Sequence, residues 1–314
     1  MNKKSVIISV LFVCLLIFAL GAFETYLPEQ TGDTYFTFTD SEGTLVELKK
    51  KPQRVAVLFS SLAETWITAG GEVSITVGET TERGLCPETV LLADSGAGKT
   101  IDNERLISYE PDFVICSADI ASHKETAKLL KKAGIPVAMI RIDSFSDYLL
   151  CLEVFCKITG KEENYALYGE NQKAEIDGII LKSKSLRQKD ILFIRSGSSA
   201  SSAKAKKAED NFAAKMLSEL GCNNIADKAE VLLDGLSAEA ILTENPEYIF
   251  ISLMGDSEAG KEYMTGLLKK EEFASLSAVK NGNVYFLPKE LFQYKPCSRW
   301  AESYRYLSDI LYSE

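Results

Sequence analysis

The sequence predicts an α/β protein of two Rossmann-like lobes joined by a long connecting helix, and three observations carry that prediction. The stretch from Asp102 to Ile115 repeats 135 residues later as Ser237 to Phe250. Each copy has a polar residue, a glutamate two positions on (Glu104, Glu239), a short helical run, a proline stop (Pro111, Pro246) and at once an apolar strand. Upstream of each copy lies a matching apolar run, Arg54 to Phe59 and Asp190 to Arg195, ending in a Ser- or Gly-containing loop that leads into a helix. Between the halves the pattern is helical from Phe145 to Thr159 and again from Glu162 to Lys184, broken only at Gly160. A period this long is the size of a domain rather than of a solenoid repeat. Each half is therefore a lobe, and between such lobes ligands sit beyond the carboxyl ends of the strands.

In chain order, residues 1–34 read as a signal or anchor segment and tether. Lys3 and Lys4 precede Ser5 to Phe23, which carry no charge: a positive n-region and an apolar run. The run is long enough to span a bilayer, and Ala19-Leu20-Gly21 offers small residues for cleavage, so export is expected with cleaved leader and retained anchor both open. Cys14 lies inside the apolar run behind the branched Val13 and is a poor lipidation site. The N-terminal lobe spans 35–160. It opens with a hairpin, Tyr35 to Thr39 and Leu45 to Leu48 around the turn Ser41-Glu42-Gly43. A strand Val55 to Phe59, a helix Leu62 to Ala69 stopped by Gly70-Gly71, a strand Ile75 to Val77, the first repeat copy, a helix His123 to Ala133 and a strand Val137 to Ile142 follow. This alternation predicts a mostly parallel sheet. Residues 161–187 are the connecting helix. The C-terminal lobe, 188–314, resumes at Ile191 and closes with an amphipathic helix from Trp300 to Tyr312.

Composition narrows the function. The chain has 314 residues, 46% hydrophobic and 25% charged, enough core for two lobes. Its net charge of −10 argues against a nucleic-acid partner, which needs a basic face. Seven cysteines in an exported chain suggest disulfides, but no two have CxxC spacing, and Cys151 and Cys156, five apart on a helix, do not share a face. Free thiols packed as small hydrophobes are expected.

Several motifs in order carry a family resemblance. They are Thr39-Asp40-Ser41-Glu42-Gly43, Pro52-Gln53-Arg54-Val55, Ser60-Ser61-Leu62-Ala63-Glu64, the Glu-Pro-Asp-Phe-Val unit at Glu110 to Val114, Met216 to Gly221, Ala278 to Tyr285, and Arg299-Trp300-Ala301-Glu302. From about Tyr35 to the C-terminus the chain resembles the helical-backbone substrate-binding proteins of ABC importers, the group serving ferric siderophores, haem and cobalamin. The resemblance implies two lobes on one long helix, a ligand between them, little hinge motion, no catalytic residues, no resident cofactor or bound metal, and a monomer docking on an ABC permease. It also implies an exposed acid on each lobe that pairs with permease arginines, and Glu64 and Glu239 match those motif positions. Ser61 to Glu64 also reads as a capping box, in which the carboxylate would serve the backbone instead.

The ligand-binding candidates are Arg83, Tyr109, Arg141, Arg195, Met254, Phe292 and Arg299. Of eight arginines in a lysine-rich chain, Arg83, Arg141, Arg195 and Arg299 fall in loops or at strand ends, and arginine binds carboxylate, hydroxamate or catecholate oxygens in a fork that lysine lacks. Surface salt bridges would explain any one of them. Tyr109, Phe292 and Tyr294 could form aromatic walls, whereas Trp66 and Trp300 at helical spacing read as core. Ser117-Ala118-Asp119, Ser196-Gly197-Ser198, Asn211-Phe212 and Met254-Gly255 are further rim loops. Ser95 to Thr100 resembles a phosphate loop but has Ala93 where the first glycine belongs. A lone His123, read as a surface or capping residue, excludes a bare zinc or manganese site, which needs several histidines. The resulting expectation is an exported solute-binding protein carrying an iron chelate, with a ferric siderophore ahead of haem or cobalamin. A chelatase-like enzyme or a ligand-sensing ectodomain on the same scaffold are the competing readings.

Overall fold

The computed structural model describes residues 34–94 and 100–312. The leader, nearly all of the tether and Ser95 to Lys99 of the glycine-rich loop lie outside the described residues. Strands β1 (Phe36–Thr39) and β2 (Leu45–Leu48) form an antiparallel hairpin. The buried Asp40 builds its turn: the carboxylate accepts the backbone N–H groups of Glu42 and Thr44 at 2.9 Å, and that of Met139 at 3.1 Å. A carboxylate with three such donors nails the hairpin onto the edge of the first sheet.

That sheet contains β3 (Val55–Val57), β4 (Ile75–Thr76), β5 (Leu91–Leu92), β6 (Phe113–Ser117) and β7 (Val137–Ile140), in the order β5-β4-β3-β6-β7 and wholly parallel. Its central strands are buried along their whole length, as a parallel sheet covered on both faces requires. Helices α1 (Ser60–Thr68), α2 (Gly78–Glu82), α3 (Asn103–Ser108), α4 (Ala121–Lys132) and α5 (Phe145–Thr159) surround it. Leu62 and Trp66 of α1 and Phe155 of α5 pack on one face. Leu106 of α3 and Leu130 of α4 pack on the other. Trp66 and Phe155 meet edge to face with centroids 5.2 Å apart, which adds about 0.5–1.5 kcal/mol to their burial.

The chain then runs through a helix that changes pitch, from Glu163–Tyr165 through a π-turn at Ala166–Glu170 into α6 (Asn171–Ser183). The π-turn frees the carbonyl of Tyr168, which accepts from Tyr148 Oη of α5 and from Gln172 Nε2. Gln172 Oε1 in turn accepts the N–H of Ala301, so one freed carbonyl links α5, the connector and the C-terminal helix.

The second sheet has β8 (Lys189–Ser196), β9 (Ala203–Ala205), β10 (Cys222–Asn224), β11 (Tyr248–Leu253) and β12 (Val284–Phe286). β10-β8-β11-β12 run parallel, and β9 lies antiparallel against the last three residues of β8. Helices α7 (Phe212–Glu219), α8 (Ala238–Glu244) and α9 (Trp300–Tyr312) belong to this half. Val114 and Ile249, equivalent in the repeat, sit in different sheets. The repeat holds in backbone detail. Asp102 caps α3 by accepting from Arg105 N, and Ser237 caps α8 by accepting from Ala240 N. Glu110 and Asn245, again 135 apart, take left-handed φ of 49° and 43° before their prolines.

One apolar cluster runs through both halves, and its centre is Trp300, with ring centroids 5.8 Å from Phe145 and Phe212 and 6.2 Å from Tyr148. Two sequence expectations change here. The capping box at Ser61 does not form: α1 begins a residue earlier, its N-cap is Phe59, and Ser61 lies inside the helix. His123 is wholly buried, not on the surface, and its Nδ1 accepts the backbone N–H of Ser117 at 3.1 Å. β5, β9, β10 and β12 are too short, at two or three residues each, to show a period of their own. All six described cysteines are free, five of them buried. No described helix is long and apolar enough to cross a membrane.

Candidate functional site

The carboxyl ends of β3 and β4 feed α1 and α2, and the segment after β12 crosses to meet them. Lys295 N donates to Ser61 Oγ at 3.2 Å, Cys297 Sγ to the Ser61 carbonyl at 3.2 Å, and Thr65 Oγ1 to Cys297 Sγ at 3.5 Å. These bonds join the first turns of α1 to the C-terminal half. Burial raises the pKa of the Cys297 thiol, with the carboxylate of Glu64 adding to it, so this sulfur acts as a packed hydrogen-bonding group rather than a nucleophile. The Lys295 side chain completes the join with an ion pair to Asp143 at 3.1 Å.

Next to this join Tyr294 of the C-terminal half has two cations against its ring. Arg83, which ends α2, places its guanidinium 4.1 Å from the ring centroid, and Lys289 Nζ lies at 5.0 Å. Partly desolvated cation–π contacts of this kind contribute about 1–2 kcal/mol. Arg83 also pairs with Glu64 at 2.5 Å and donates to Ser60 Oγ at 3.1 Å, while Ser60 Oγ donates to Glu79 at 2.5 Å. The Arg83 and Glu64 side chains are only 13% and 18% exposed.

This corrects the placement of Glu64. It is not an exposed acid at a lobe tip but the counter-ion of Arg83 on the floor between the lobes. The acid that matches Glu239 is Glu104: both occupy the second position of their helices, α3 and α8, both are exposed, and neither makes an ion pair among the described residues. The repeat already aligns these two glutamates.

The remaining candidates separate by geometry. Arg195 stands at the carboxyl end of β8, opposite Ser252 of β11. Ile191 and Phe193 point into the cluster shared by both halves, so alternation sends Arg195 to that same face, beyond Phe193 and toward the opening between the lobes. It is exposed and makes no ion pair among the described residues, and desolvation by the surrounding protein holds its pKa below the usual arginine value. Met254 follows β11 directly, half-buried, its N–H bonded to the Ser196 carbonyl at 2.8 Å. Arg299 binds Glu302 with two bonds of 2.6 and 2.7 Å, which raise its pKa, and Glu64 and Glu290 add to the effect. Arg141 is held by Asp119 at 2.7 Å, with Glu42 and Asp143 close by. Its pKa is raised mainly by the Asp119 bond. Of the four arginines, Arg195 alone has no acid partner among the described residues.

Phe292 and Tyr109 do not line the cleft. Phe292 is 1% exposed and packs on Tyr306, because the turn after Pro288 carries it inward and its carbonyl accepts from Ser252. Tyr109 ends α3 against the core face of that helix, at the amino-terminal end of β6 and so at the opposite edge of the sheet from the carboxyl ends. Among the rim loops, Asn211 caps α7 and Phe212 lies 6% exposed beside Trp300, with Lys295 Nζ 5.1 Å from its ring. A concavity of about 540 Å³ between β2 and the amino end of β7, lined by Leu45, Leu48, Pro111 and Val137 and by the charged Lys50, Asp112 and Lys131 among others, lies on the far flank, away from the carboxyl ends of the strands. No group of three or more His, Cys, Asp or Glu side chains among the described residues is arranged to hold a metal ion.

With this geometry in place, the profile of a family described as periplasmic binding protein matches residues 55–291. No curated protein matches the sequence. Solved structures of the same fold include the apo form of the periplasmic heme-binding protein RhuT from Roseiflexus sp. RS-1, at TM-score 0.67 and 17% identity, covering 83% of this chain and 98% of that one. Staphylococcus aureus SirA complexed with staphyloferrin B superposes at TM-score 0.66 and 18% identity, covering 88% and 97%. A possible iron-binding periplasmic solute-binding protein from Staphylococcus epidermidis superposes at TM-score 0.68 and 21% identity, covering 84% and 100%.

Proposed function

Because the chain belongs to the periplasmic binding protein family, we propose that it is an exported solute-binding protein that captures an anionic iron chelate between its lobes and hands it to an ABC permease. The observation that carries this reading is the state of Arg195: an exposed guanidinium at the carboxyl end of a strand, without an ion pair among the described residues, in a chain of net charge −10. Tyr294 provides an aromatic surface where the two halves meet, with Arg83 and Lys289 against its ring. Capture needs no covalent step. Apolar parts of the chelate bury against aromatic side chains while acidic oxygens meet arginine. That SirA was solved with a siderophore supports the choice of ligand class.

Haem is the second reading, supported by the name of RhuT and by the Tyr294 phenol in the cleft. His123, wholly buried behind Ser117, cannot supply an axial bond. The paired acids Glu104 and Glu239 are the docking points of this proposal, one at the start of an equivalent helix in each half. Charge reversal at both, E104K with E239K, is expected to abolish uptake in cells while ligand affinity stays within about twofold, since interface charges set orientation and association rate. Fluorescence titration with ferric siderophores and haemin, alongside uptake, tests both halves. Equal loss of ligand affinity in the double variant would assign these acids to the cleft or the fold instead.

A further inference from the structure

We propose that the C-terminal wall of the cleft carries a carboxylate seat made by the cross-strand pair Arg195 and Lys204, and that the chelate it accepts bears free carboxylate groups. The proposal rests on the reading above and narrows its ligand.

Strand β9 creates the pair. Its register sets Ala205 opposite Ile194, Lys204 opposite Arg195 and Ala203 opposite Ser196. Ala203, Ala205 and Ile194 are buried together in the cluster under the sheet, so alternation turns Lys204 to the other face, beside Arg195. Directly opposed residues of an antiparallel pair have Cβ atoms only about 4.5–5.5 Å apart, and like charges in that position repel. Lys206, two residues on and of the same parity, faces the same way from beside Phe193.

None of these three cations makes an ion pair among the described residues. For Arg195 the contrast is with the other rim arginines, although Arg54 and many described lysines also lack an ion pair. Arg83 has Glu64, Arg141 has Asp119, Glu42 and Asp143, Arg187 has Glu247, Arg299 has Glu302, and the neighbouring Lys207 has Glu230. A chain with 45 acidic and 35 basic residues could spare a carboxylate here as it does elsewhere. Instead a self-repelling strip of positive charge stands unneutralised on one wall, half-exposed at Lys204 and exposed at Arg195. A bound anion relieves that repulsion. Arginine offers a planar fork to one carboxylate and lysine a point charge to the same or the next. The shared chemistry is the carboxylate, whether from a hydroxycarboxylate iron complex or from the propionates of haem.

The test uses the purified protein with three probes: ferric citrate, haemin, and ferrioxamine B, an iron complex without free carboxylates. Binding is followed by quenching of tryptophan fluorescence at low and high salt, with Trp300 beside Phe212 as the reporter. The expected result is that ferric citrate or haemin binds, and that R195A with K204A weakens it about 100-fold or more, as for two charge-assisted contacts. R195K is expected to recover only part of the loss of R195A, and thermal midpoints not to fall. Whichever carboxylate probe binds identifies the source. Unchanged affinity of that probe in the double variant would overturn the seat while leaving iron-chelate capture standing. Binding of ferrioxamine B alone would do the same. No binding of any probe by the unaltered protein would overturn both.

Discussion

The two halves are one plan built twice, yet their cleft walls are in opposite electrical states. On the N-terminal wall Arg83 and Arg141 are neutralised by acids of their own half. On the C-terminal side Arg195 and Lys204 stand opposite each other with no ion pair among the described residues. The difference accompanies departures from the repeat: α2, which ends in Arg83, in one half, and the antiparallel β9, which carries Lys204, in the other. Shared elements make the scaffold, and the unshared ones decide what it holds.

Acid sensitivity offers the largest test of that asymmetry, because the single histidine lies in the N-terminal half. Burial lowers the pKa of His123 from 6.5 to about 4. As pH falls, the unfolded chain takes up this proton first, while the folded chain refuses it until about pH 4. Stability from this group is therefore complete above about pH 6.5 and declines toward pH 4, by about 3 kcal/mol in total. Denaturant unfolding across that range should show the slope, and His123→Gln should flatten it. The carboxylates Glu247 and Glu302, whose pKa values are lowered by Arg187 and Arg299, act only at lower pH. An unaltered slope in the variant would place the acid response elsewhere.

A smaller effect separates the walls directly. Glu64→Gln leaves the mostly buried Arg83 without its counter-ion, and a loss of about 1–3 kcal/mol is expected. Arg195→Ser has no partner to orphan and should change stability by no more than about 0.5 kcal/mol. Urea midpoints of the two variants decide it, and equal effects would mean that both walls are neutralised alike.

The smallest effect concerns the backbone the halves share. Glu110 and Asn245 hold the same left-handed conformation, which asparagine tolerates better than glutamate. Glu110→Gly is expected to stabilise by about 0.5–1 kcal/mol and Asn245→Gly by less, read as thermal midpoints. A larger gain at Asn245 would show that the two stops are not equivalent.

These contrasts also explain what the sequence could reveal. The repeat, the helix Phe145–Thr159, the hairpin and the closing helix Trp300–Tyr312 were legible because each has a clear period and a proline, glycine or capping residue at its end. Glu64 was misplaced because α1 buries Ser60, Ser61, Leu62, Ala63, Thr65 and Trp66 and has no polar face from which to read a direction. Phe292 and Tyr109 were misplaced for the opposite reason: an aromatic residue near a loop looks the same whether it closes a core or lines a cleft. Lys204 went unnoticed because a three-residue strand has no pattern of its own, and only its pairing with Arg195 gives it meaning.

The π-turn at Ala166–Glu170 sets the phase of the molecule. A helix advances about 100° per residue, so a π-turn, with its extra residue, is a fixed rotation written into the shaft between the two halves. Deleting one residue there would restore an unbroken ladder and swing α6 by about 100°, carrying Gln172 away from Ala301 and withdrawing the Tyr168 carbonyl from Tyr148. The two walls would then no longer look at each other. In this chain the angle at which the lobes present themselves is a matter of counting, one residue at a time.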